Sequence, residues 1–459
     1  MGGSFLHGAR AVTDWAQDIA PLIEVAAKKL GITLTIQQAR RLSGGAINQN
    51  FLVQLSDHQG ASLQWVLRRG QSLPIPGSLS RAGEYAVVSH ANAIGMTVAK
   101  PIALLGEPAA SASIFQWCEG QTDGRALLNE FTRSSSEAVS KLTQSLGAEL
   151  GRLHGQASCT QAEKTLADVL GSRPACGFSA SMDLLKKSFA RVKAPKRYLI
   201  EAFHHCVKES ESIFKSRGGV SEPACVSHND FRLGNLMIDT KAVRLTAVLD
   251  WEFTSWGDPL ADIGWLTAPC WRFGGQAAVA GFGAIDDLLA GYASVTADAS
   301  SVQRLHERAS RELDFWQRYA HLRWAIIAAQ QGERAISGDS EALELLLTGA
   351  MVASILEPTL GYYWGEIPKT TLQEPSPVES ELDRLLAEAG LHLKGHLASG
   401  LSGAQRYSAL MSANAIRLAR GALRRPEKTS MGVSGSESQN SDLAKQELAA
   451  DLAVWNFRS

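Results

Sequence analysis

The chain has 459 residues, of which 45% are hydrophobic and 20% are charged, a composition that excludes global disorder. Lys and Arg number 45 against 46 Asp and Glu, so the formal net charge is −1, which argues against a dedicated nucleic-acid-binding protein. By length the chain predicts roughly three domains.

The cysteines and the N-terminus indicate a reducing compartment. The six cysteines are scattered without a C-x-x-C pair, and His204, His205 and Cys206 lack a second ligand cluster, so buried thiols are favoured over zinc. Residues 1–10 do not read as a signal peptide, and we find no run of roughly 18 apolar residues. The sequence therefore predicts a cytoplasmic protein without membrane association.

The first 120 residues alternate between helical and strand periodicity. In chain order they predict a helix over 14–30 ending at Gly31, a hairpin of strands near 50–55 and 63–69, a helix from Ser80 to Ile94, and strands near 99–105 and 113–118. From Thr132 onward the pattern is mostly helical, with short strands near 224–228, 236–239 and 244–249. A mostly β small lobe followed by a helical large lobe is an α+β arrangement.

The last part of the chain differs in composition. Residues 366–380 are rich in Pro, Thr and Ser and predict a linker. Beyond it we expect helices over 381–397 and 404–424, disorder over 425–442 and a short helix over 443–455. We thus divide the chain into 1–115, 116–365, the linker 366–380 and a helical extension, 381–459, whose default role would be docking or homodimerisation.

One constellation of polar residues carries the predicted chemistry. Asp230 and Asn235 lie on one loop, and the hairpin 236–249 returns the chain to Asp250. Carboxylate and amide oxygens suit Mg²⁺, and phosphoryl transfer needs both such a metal site and a base for the attacking hydroxyl. The alternative is that these residues only form turns and caps, as Asp and Asn often do.

The spacing of three motifs resembles the aminoglycoside phosphotransferase-like kinase family. The motifs are H-x-D-x-x-x-x-N over residues 228–235, L-D-W-E over 249–252 and G-D-P-x-x-D over 257–262, and the first has the spacing of the protein-kinase catalytic loop. The resemblance covers about residues 35–365. It implies a bilobal protein kinase-like fold, with a mostly β N-lobe and a helical C-lobe, that uses ATP and Mg²⁺.

The resemblance also implies roles for the loop residues. Asp230 would be the catalytic base and His228 would support the loop; we also place Arg232, on the same loop, with the catalytic residues. Asn235 and Asp250 would bind Mg²⁺, and Asp262 would hold the loop. One departure is Asn229, where the family usually has Gly; it fits if φ is negative or if Asn adopts the left-handed region.

The nucleotide should bind in the small lobe. By the resemblance, Arg68 would hold the phosphates and Glu84 would pair with it, whereas Arg68 alone would read as a solvated strand residue. A turn containing Gly44, Gly45 and Asn48 should cover the phosphates through backbone N–H groups, although a plain hairpin turn is an equal reading. The hinge, with backbone groups that could pair with adenine, is expected at Gln116, Trp117 and Cys118.

The acceptor is the least determined part of the prediction. After Asp262 the chain supplies Trp265, Trp271 and Arg272 rather than the carboxylates that a polycationic aminoglycoside would need, although both tryptophans could simply be core residues. Arg232 and Arg272, if both face the cleft, favour an acyl or anionic acceptor. Strings such as residues 65–69 resemble the branch linked to 4-hydroxyacyl-CoA phosphorylation, which implies a CoA thioester. The alternatives are an aminoglycoside or amino-alcohol kinase and a catalytically silent scaffold.

Overall fold

The computed structural model describes residues 15–42, 48–70, 75–106, 112–155, 166–218, 222–336, 343–373, 377–425 and 437–456. Within these ranges a β-rich N-terminal lobe precedes a helical C-terminal lobe, as the sequence predicts. The catalytic-loop region lies where the two lobes meet.

The N-lobe is built on a five-stranded antiparallel sheet. Its order is β1-β2-β3-β5-β4, with β1 (Leu34–Arg41), β2 (Asn48–Asp57), β3 (Ser62–Gly70), β4 (Pro101–Leu105) and β5 (Ala112–Gln116). Helices α1 (Trp15–Leu30) and α2 (Arg81–Ala93) flank the sheet. The predicted hairpin is thus β2–β3, and the two later strands are β4 and β5.

Alternation along β2 and β3 fixes their register. Phe51, Val53 and Leu55 are buried on one face of β2, and Phe51 pairs with Leu67 while Val53 pairs with Trp65 of β3. Because side chains alternate between faces of a strand, a shift by one residue would expose all of them. The same alternation leaves Arg68 on the opposite face from Leu67, toward the cleft.

The C-lobe is mainly helical around one large core. Its helices are α3 (Gly124–Phe131), α4 (Ser136–Gly155), α5 (Gly177–Phe189), α6 (Arg197–Ser216), α7 (Pro259–Thr267), α8 (Ile285–Val295), α9 (Ala299–Ile336), α10 (Leu343–Ala350) and α11 (Val352–Trp364). Two short antiparallel strand pairs flank the predicted catalytic loop: β6 (Cys225–Ser227) with β9 (Ser255–Gly257), and β7 (Leu236–Asp239) with β8 (Arg244–Val248).

The C-terminal helices are α12 (Pro377–Leu391), α13 (Gly403–Leu423) and α14 (Glu437–Trp455). The last helix begins before the predicted residue 443, and residues 426–436 of the stretch expected to be disordered lie outside the described residues. Ala444, Leu448 and Leu452 are buried in the same core as the C-lobe helices. The last helix of the predicted extension is therefore part of the C-lobe, and docking or dimerisation through these helices stays a prediction.

One segment, Leu343–Trp364, is long and apolar enough to cross a membrane by length and composition, which the sequence does not predict. Its most apolar 18 residues have a mean hydropathy of 1.4, and 44% of them are buried. Its two halves, α10 and α11, both pack against α9. A core helix meets the same length and hydropathy criteria, so the finding is weak evidence for a membrane span.

Candidate active site

The carboxylate of Asp230 is held by three side chains. Its Oδ1 accepts hydrogen bonds from Trp265 Nε1 and Arg232 Nε, both at 3.0 Å, and its Oδ2 accepts one from Asn235 Nδ2 at 2.5 Å. The residue is only 7% exposed. Bonds to a charged acceptor are stronger than neutral ones, so the carboxylate has one fixed orientation, facing the cleft between the lobes.

The loop backbone is held from α7. Asp262 is fully buried, and its carboxylate accepts from the backbone N–H groups of His228 and Asn229 at 2.8 and 2.7 Å. His154 contacts the same carboxylate through Nε2 at 3.1 Å. Burial alone would raise the pKa of Asp262, but the hydrogen bond from His154 and its neighbours' charges outweigh burial and lower that pKa. The charged carboxylate thus anchors the loop.

Asn229 adopts the left-handed region, with φ of 63°, which Asn tolerates better than most residues. Its side-chain N–H group lies within hydrogen-bond distance of the Ser227 and Phe253 carbonyls and of Ser255 Oγ, at 2.8 Å in the last case. The Asn229 carbonyl accepts from the buried guanidinium of Arg323. Side-chain bonds of this kind are unavailable to Gly and offset the cost of the conformation.

His228 supports the loop as a neutral ring. Its Nδ1 accepts from the Asp230 backbone N–H at 3.2 Å, so Nε2 carries the proton and donates to the Leu249 carbonyl at 3.1 Å. Burial lowers the pKa of His228. The ring therefore links the catalytic loop to the segment before Asp250, and it does not reach the cavity.

Asn235 and Asp250 present oxygen atoms to the same cavity. Because Asn235 Nδ2 donates to Asp230, the side-chain oxygen Oδ1 of Asn235 is left for a cation. The backbone carbonyl of Asn235 accepts from the Leu249 N–H at 2.8 Å. Asp250 has φ of 65° and its side chain is 34% exposed. No cluster of three or more His, Cys, Asp or Glu forms a metal site within the described ranges, but Mg²⁺ needs only one or two protein oxygens when phosphates complete its shell. These two residues fit that ion.

Arg68 and Glu84 form the predicted pair. Arg68 Nη1 donates to Glu84 Oε1 at 2.8 Å, and Arg68 Nη2 lies 3.5 Å from Asp250 Oδ1. A second arginine, Arg81, reaches Glu84 Oε2 at 2.8 Å. The side chain of Glu84 is 3% exposed, so one buried carboxylate orients two cations, one of them next to Asp250.

Glu252, of the L-D-W-E motif, adds a further carboxyl to this region. Burial, followed by the charges of Asp250 and Glu84, raises the pKa of Glu252 above its ordinary value. Its backbone carbonyl accepts from Leu79 N–H at 2.7 Å, which joins the segment after Asp250 to the residues before α2.

One cavity of about 500 Å³ is lined by Arg68, Asp230, Asn235, Asp250 and Glu252 and by the predicted hinge. In the hinge, the N–H groups of Gln116 and Trp117 already donate to Lys100 and Gln64 carbonyls, at 2.9 Å each. Among the described residues the Cys118 N–H donates to no backbone carbonyl, so it is the N–H group of the predicted hinge that is left to pair with adenine. Gly44 and Gly45 lie outside the described residues, and Asn48 begins β2 opposite Gly70.

The far end of the cavity is a chamber walled by Trp265, Trp271 and Trp324, with Ile327, Gln331, Glu344, Leu345 and Thr348 beside them. Arg232 lies over the Trp271 ring at 4.5 Å and lines the cavity. Arg272 does not line it, because its guanidinium donates to the Thr267 carbonyl at 2.9 Å. The condition that both arginines face the cleft is therefore met by Arg232 and not by Arg272.

Two site residues have no signal in the local sequence. Arg323 and Glu344 come from distant parts of the chain, and nothing in their own segments indicates the contact. Arg81 lies three residues before Glu84 on α2, so the spacing on the predicted helix could have indicated that pair. The bond from Trp265 to Asp230 could have been suspected, because Trp265 lies one helical turn after Asp262 and such residues share a helix face.

Comparison with known proteins supplies both a family and a fold. The model of the phosphotransferase enzyme family matches residues 38–297, more than half of the chain. A Ralstonia eutropha JMP134 protein provisionally named an aminoglycoside phosphotransferase has a similar structure, with 18% identity, a TM-score of 0.50, and coverage of 75% of this chain and 97% of that one. That likeness confirms the predicted kinase-like fold class. An ethanolamine kinase of Plasmodium vivax is 15% identical, with a TM-score of 0.44 and coverage of 74% of this chain and 84% of that one.

A short match links the chain to a curated mammalian protein. The rat acyl-CoA dehydrogenase family member 11 is 44% identical over 43 residues, which are 9% of this chain and 6% of that protein. The mouse protein of the same name matches equally. The match thus spans only a small part of the length of these relatives.

Proposed function

Because the chain belongs to the phosphotransferase enzyme family, we propose that it uses ATP and Mg²⁺ to phosphorylate a hydroxyl group of a small molecule, and that the acceptor is a hydroxyacyl thioester of coenzyme A. The observation that carries the proposal is that one cavity joins the hinge, Arg68, Asp250 and Asp230 to a tryptophan-walled chamber. A nucleotide and an acceptor can therefore meet at Asp230.

In the proposed reaction Asp230 takes the proton of the acceptor hydroxyl. Oδ1 already receives two hydrogen bonds and Oδ2 receives one, so Oδ2 retains the lone pair that can accept this proton. The acceptor oxygen attacks the γ-phosphorus as the bond to the bridging oxygen of ADP breaks. Arg68 pairs with the phosphates, and Mg²⁺, held by Asn235 and Asp250, would neutralise their charge.

The chamber disfavours a cationic acceptor. The rings of Trp271 and Trp265 already carry guanidinium groups, from Arg232 at 4.5 Å and Arg323 at 4.9 Å. A quaternary ammonium or amino sugar would have to compete with Arg232, which lines the cavity, for the face of Trp271, and the charges of both guanidinium groups would repel it. The apolar wall suits the carbons of an acyl chain, and Arg232 suits a carbonyl or anionic group.

Two further observations bear on the acceptor class. The short match to acyl-CoA dehydrogenase family member 11 favours an acyl-CoA. Glu344 in the chamber favours the second candidate, an amino alcohol or amino sugar, because a carboxylate attracts ammonium groups.

The test is an ATP-consumption screen with the purified full-length protein over hydroxyacyl-CoAs, amino sugars, choline and homoserine. We expect turnover with a hydroxyacyl-CoA and formation of its phosphate ester, seen by mass spectrometry, with Asp230→Ala as the background. Turnover with amino acceptors alone would overturn the acyl-CoA assignment. No turnover with any acceptor would instead favour the silent scaffold.

A further inference from the structure

Trp265 contacts the proposed base directly while also walling the acceptor chamber. Its indole N–H donates to Asp230 Oδ1 at 3.0 Å, and the residue is 2% exposed. A buried N–H without a hydrogen-bond partner is costly. The bond to Asp230 gives the indole N–H its partner, and it also holds the Asp230 carboxylate in one orientation.

The position of Trp265 on α7 is what allows this contact. Asp262 and Trp265 are three residues apart, so they share one helix face. Asp262 holds the backbone of the catalytic loop at His228 and Asn229, and one turn later Trp265 holds the side chain of Asp230. One turn of one helix therefore fixes both the loop and its carboxylate.

A buried cation supports the indole from behind. The Arg323 guanidinium lies 4.9 Å from the centre of the Trp265 ring and also donates to the Asn229 carbonyl. In the described part of the chain Arg323 makes no ion pair with a carboxylate. Its contacts are thus directed to the ring and to the loop that Trp265 serves.

The neighbouring Trp271 provides a contrast within the same wall. The two rings are 5.5 Å apart, and both line the cavity. Trp271 is 7% exposed, yet its Nε1 has no hydrogen-bond partner among the residues the structure describes. A tryptophan can therefore pack in this wall without a hydrogen bond from its indole N–H. The N–H of Trp265 differs because it contacts Asp230.

We propose that Trp265 is a positioning residue for Asp230. Its N–H, together with that of Arg232, occupies Oδ1 and turns Oδ2 toward the acceptor hydroxyl. The kinetic part of this inference rests on the proposed function, whereas the hydrogen bond itself can be measured without an acceptor.

The kinetic test compares Trp265→Phe with Trp256→Phe in the full-length protein. Both changes keep an aromatic ring and remove a hydrogen-bonded indole N–H, but Trp256 does not line the cavity and donates to the Gly171 carbonyl. We expect kcat to fall about tenfold or more in Trp265→Phe, from loss of a bond to a charged group, with the KM for ATP unchanged, and to fall less than threefold in Trp256→Phe. Equal losses in both variants would overturn the inference, whereas absence of turnover in the wild type would count against the proposed function instead.

The second measurement uses the ¹⁵N-labelled indole N–H signals of the protein without acceptor. The Trp265 signal is assigned by its loss in Trp265→Phe or, should that variant not fold, from its nuclear Overhauser contacts to Trp271. We expect it to move upfield in Asp230→Asn, because the acceptor loses its charge, while Trp256, which donates to the Gly171 carbonyl at 2.8 Å, stays in place. A Trp265 signal that does not move in Asp230→Asn would overturn the inference.

Discussion

Neutralising Glu84 tests the electrostatics of the phosphate side of the site. Glu84 is the shared partner of Arg68 and Arg81, each at 2.8 Å, and its side chain is 3% exposed. In Glu84→Gln the shape is nearly kept, but the amide has a single acceptor oxygen and its NH₂ group faces one of the guanidiniums. Arg68 and Arg81 then lose the carboxylate that both contact, while Asp250 remains 3.5 Å from Arg68.

The expected cost follows from burial. Breaking a buried ion pair by removing one partner costs about 3–5 kcal/mol, a large fraction of the roughly 5–15 kcal/mol that stabilises a folded domain. At about 2 °C per kcal/mol, we expect the melting temperature to fall by about 6 °C or more. Because Arg68 loses the carboxylate that orients it, binding of ATP should weaken as well.

A matched substitution controls for the change of residue type. Glu130 pairs with Arg133, three residues after it, and Glu84 pairs with Arg81, three residues before it; the Glu130 pair has a distance of 3.4 Å and both of its side chains are exposed. Such a pair contributes about 0–1 kcal/mol, so Glu130→Gln should leave the melting curve nearly unchanged. The assay is thermal unfolding followed by circular dichroism, with calorimetric titration of ATP. If the two variants melt within a degree of each other, the buried-pair reasoning is wrong.

Three other changes probe different parts of the fold. Burial lowers the pKa of His321 in the folded state. Below the unfolded pKa of about 6.5 the unfolded chain therefore binds a proton that the folded chain does not, and the folded state loses stability as pH falls. Thermal melts from pH 7.5 to 5.5 should thus show a smaller loss of stability in His321→Gln than in the wild type. Gly349→Ala places a Cβ 2.6 Å from the α9 backbone and should lower the melting temperature by several degrees, whereas Gly361→Ala, with nothing within 4 Å, should not. Tyr198→Phe removes a hydrogen bond of 2.8 Å to Asp451 of α14; limited proteolysis of that helix should become faster, and an unchanged rate would mean that this hydrogen bond does not help to hold α14.

The catalytic loop could be predicted from sequence because its chemistry is local. Asp230 and Asn235 are separated by one loop, and the hairpin β7–β8 is short enough that Asp250 must return beside them. Spacing alone therefore constrains their geometry. The pairing of Arg68 with Glu84 follows from the resemblance to the family, and the structure places the two side chains in contact.

The rest of the site depends on which distant helices meet, and local periodicity does not contain that information. Arg323 reaches Asn229 from the middle of a 38-residue helix, and Glu344 reaches the chamber from α10. The same limit explains why the C-terminal segment was predicted as an appendage. The contacts of α14 with α6 and α11 join residues about 90 to 250 positions apart.

The central claim is that Asp230 activates an acceptor hydroxyl for attack on ATP. It is tested most directly by transfer of ³²P from γ-labelled ATP to a hydroxyacyl-CoA, compared between the wild type, Asp230→Asn and the control Asp239→Asn on the neighbouring hairpin. We predict labelled ester with the wild type and with Asp239→Asn. With Asp230→Asn we predict none, although ATP still binds. Transfer at the wild-type rate by Asp230→Asn would contradict the account.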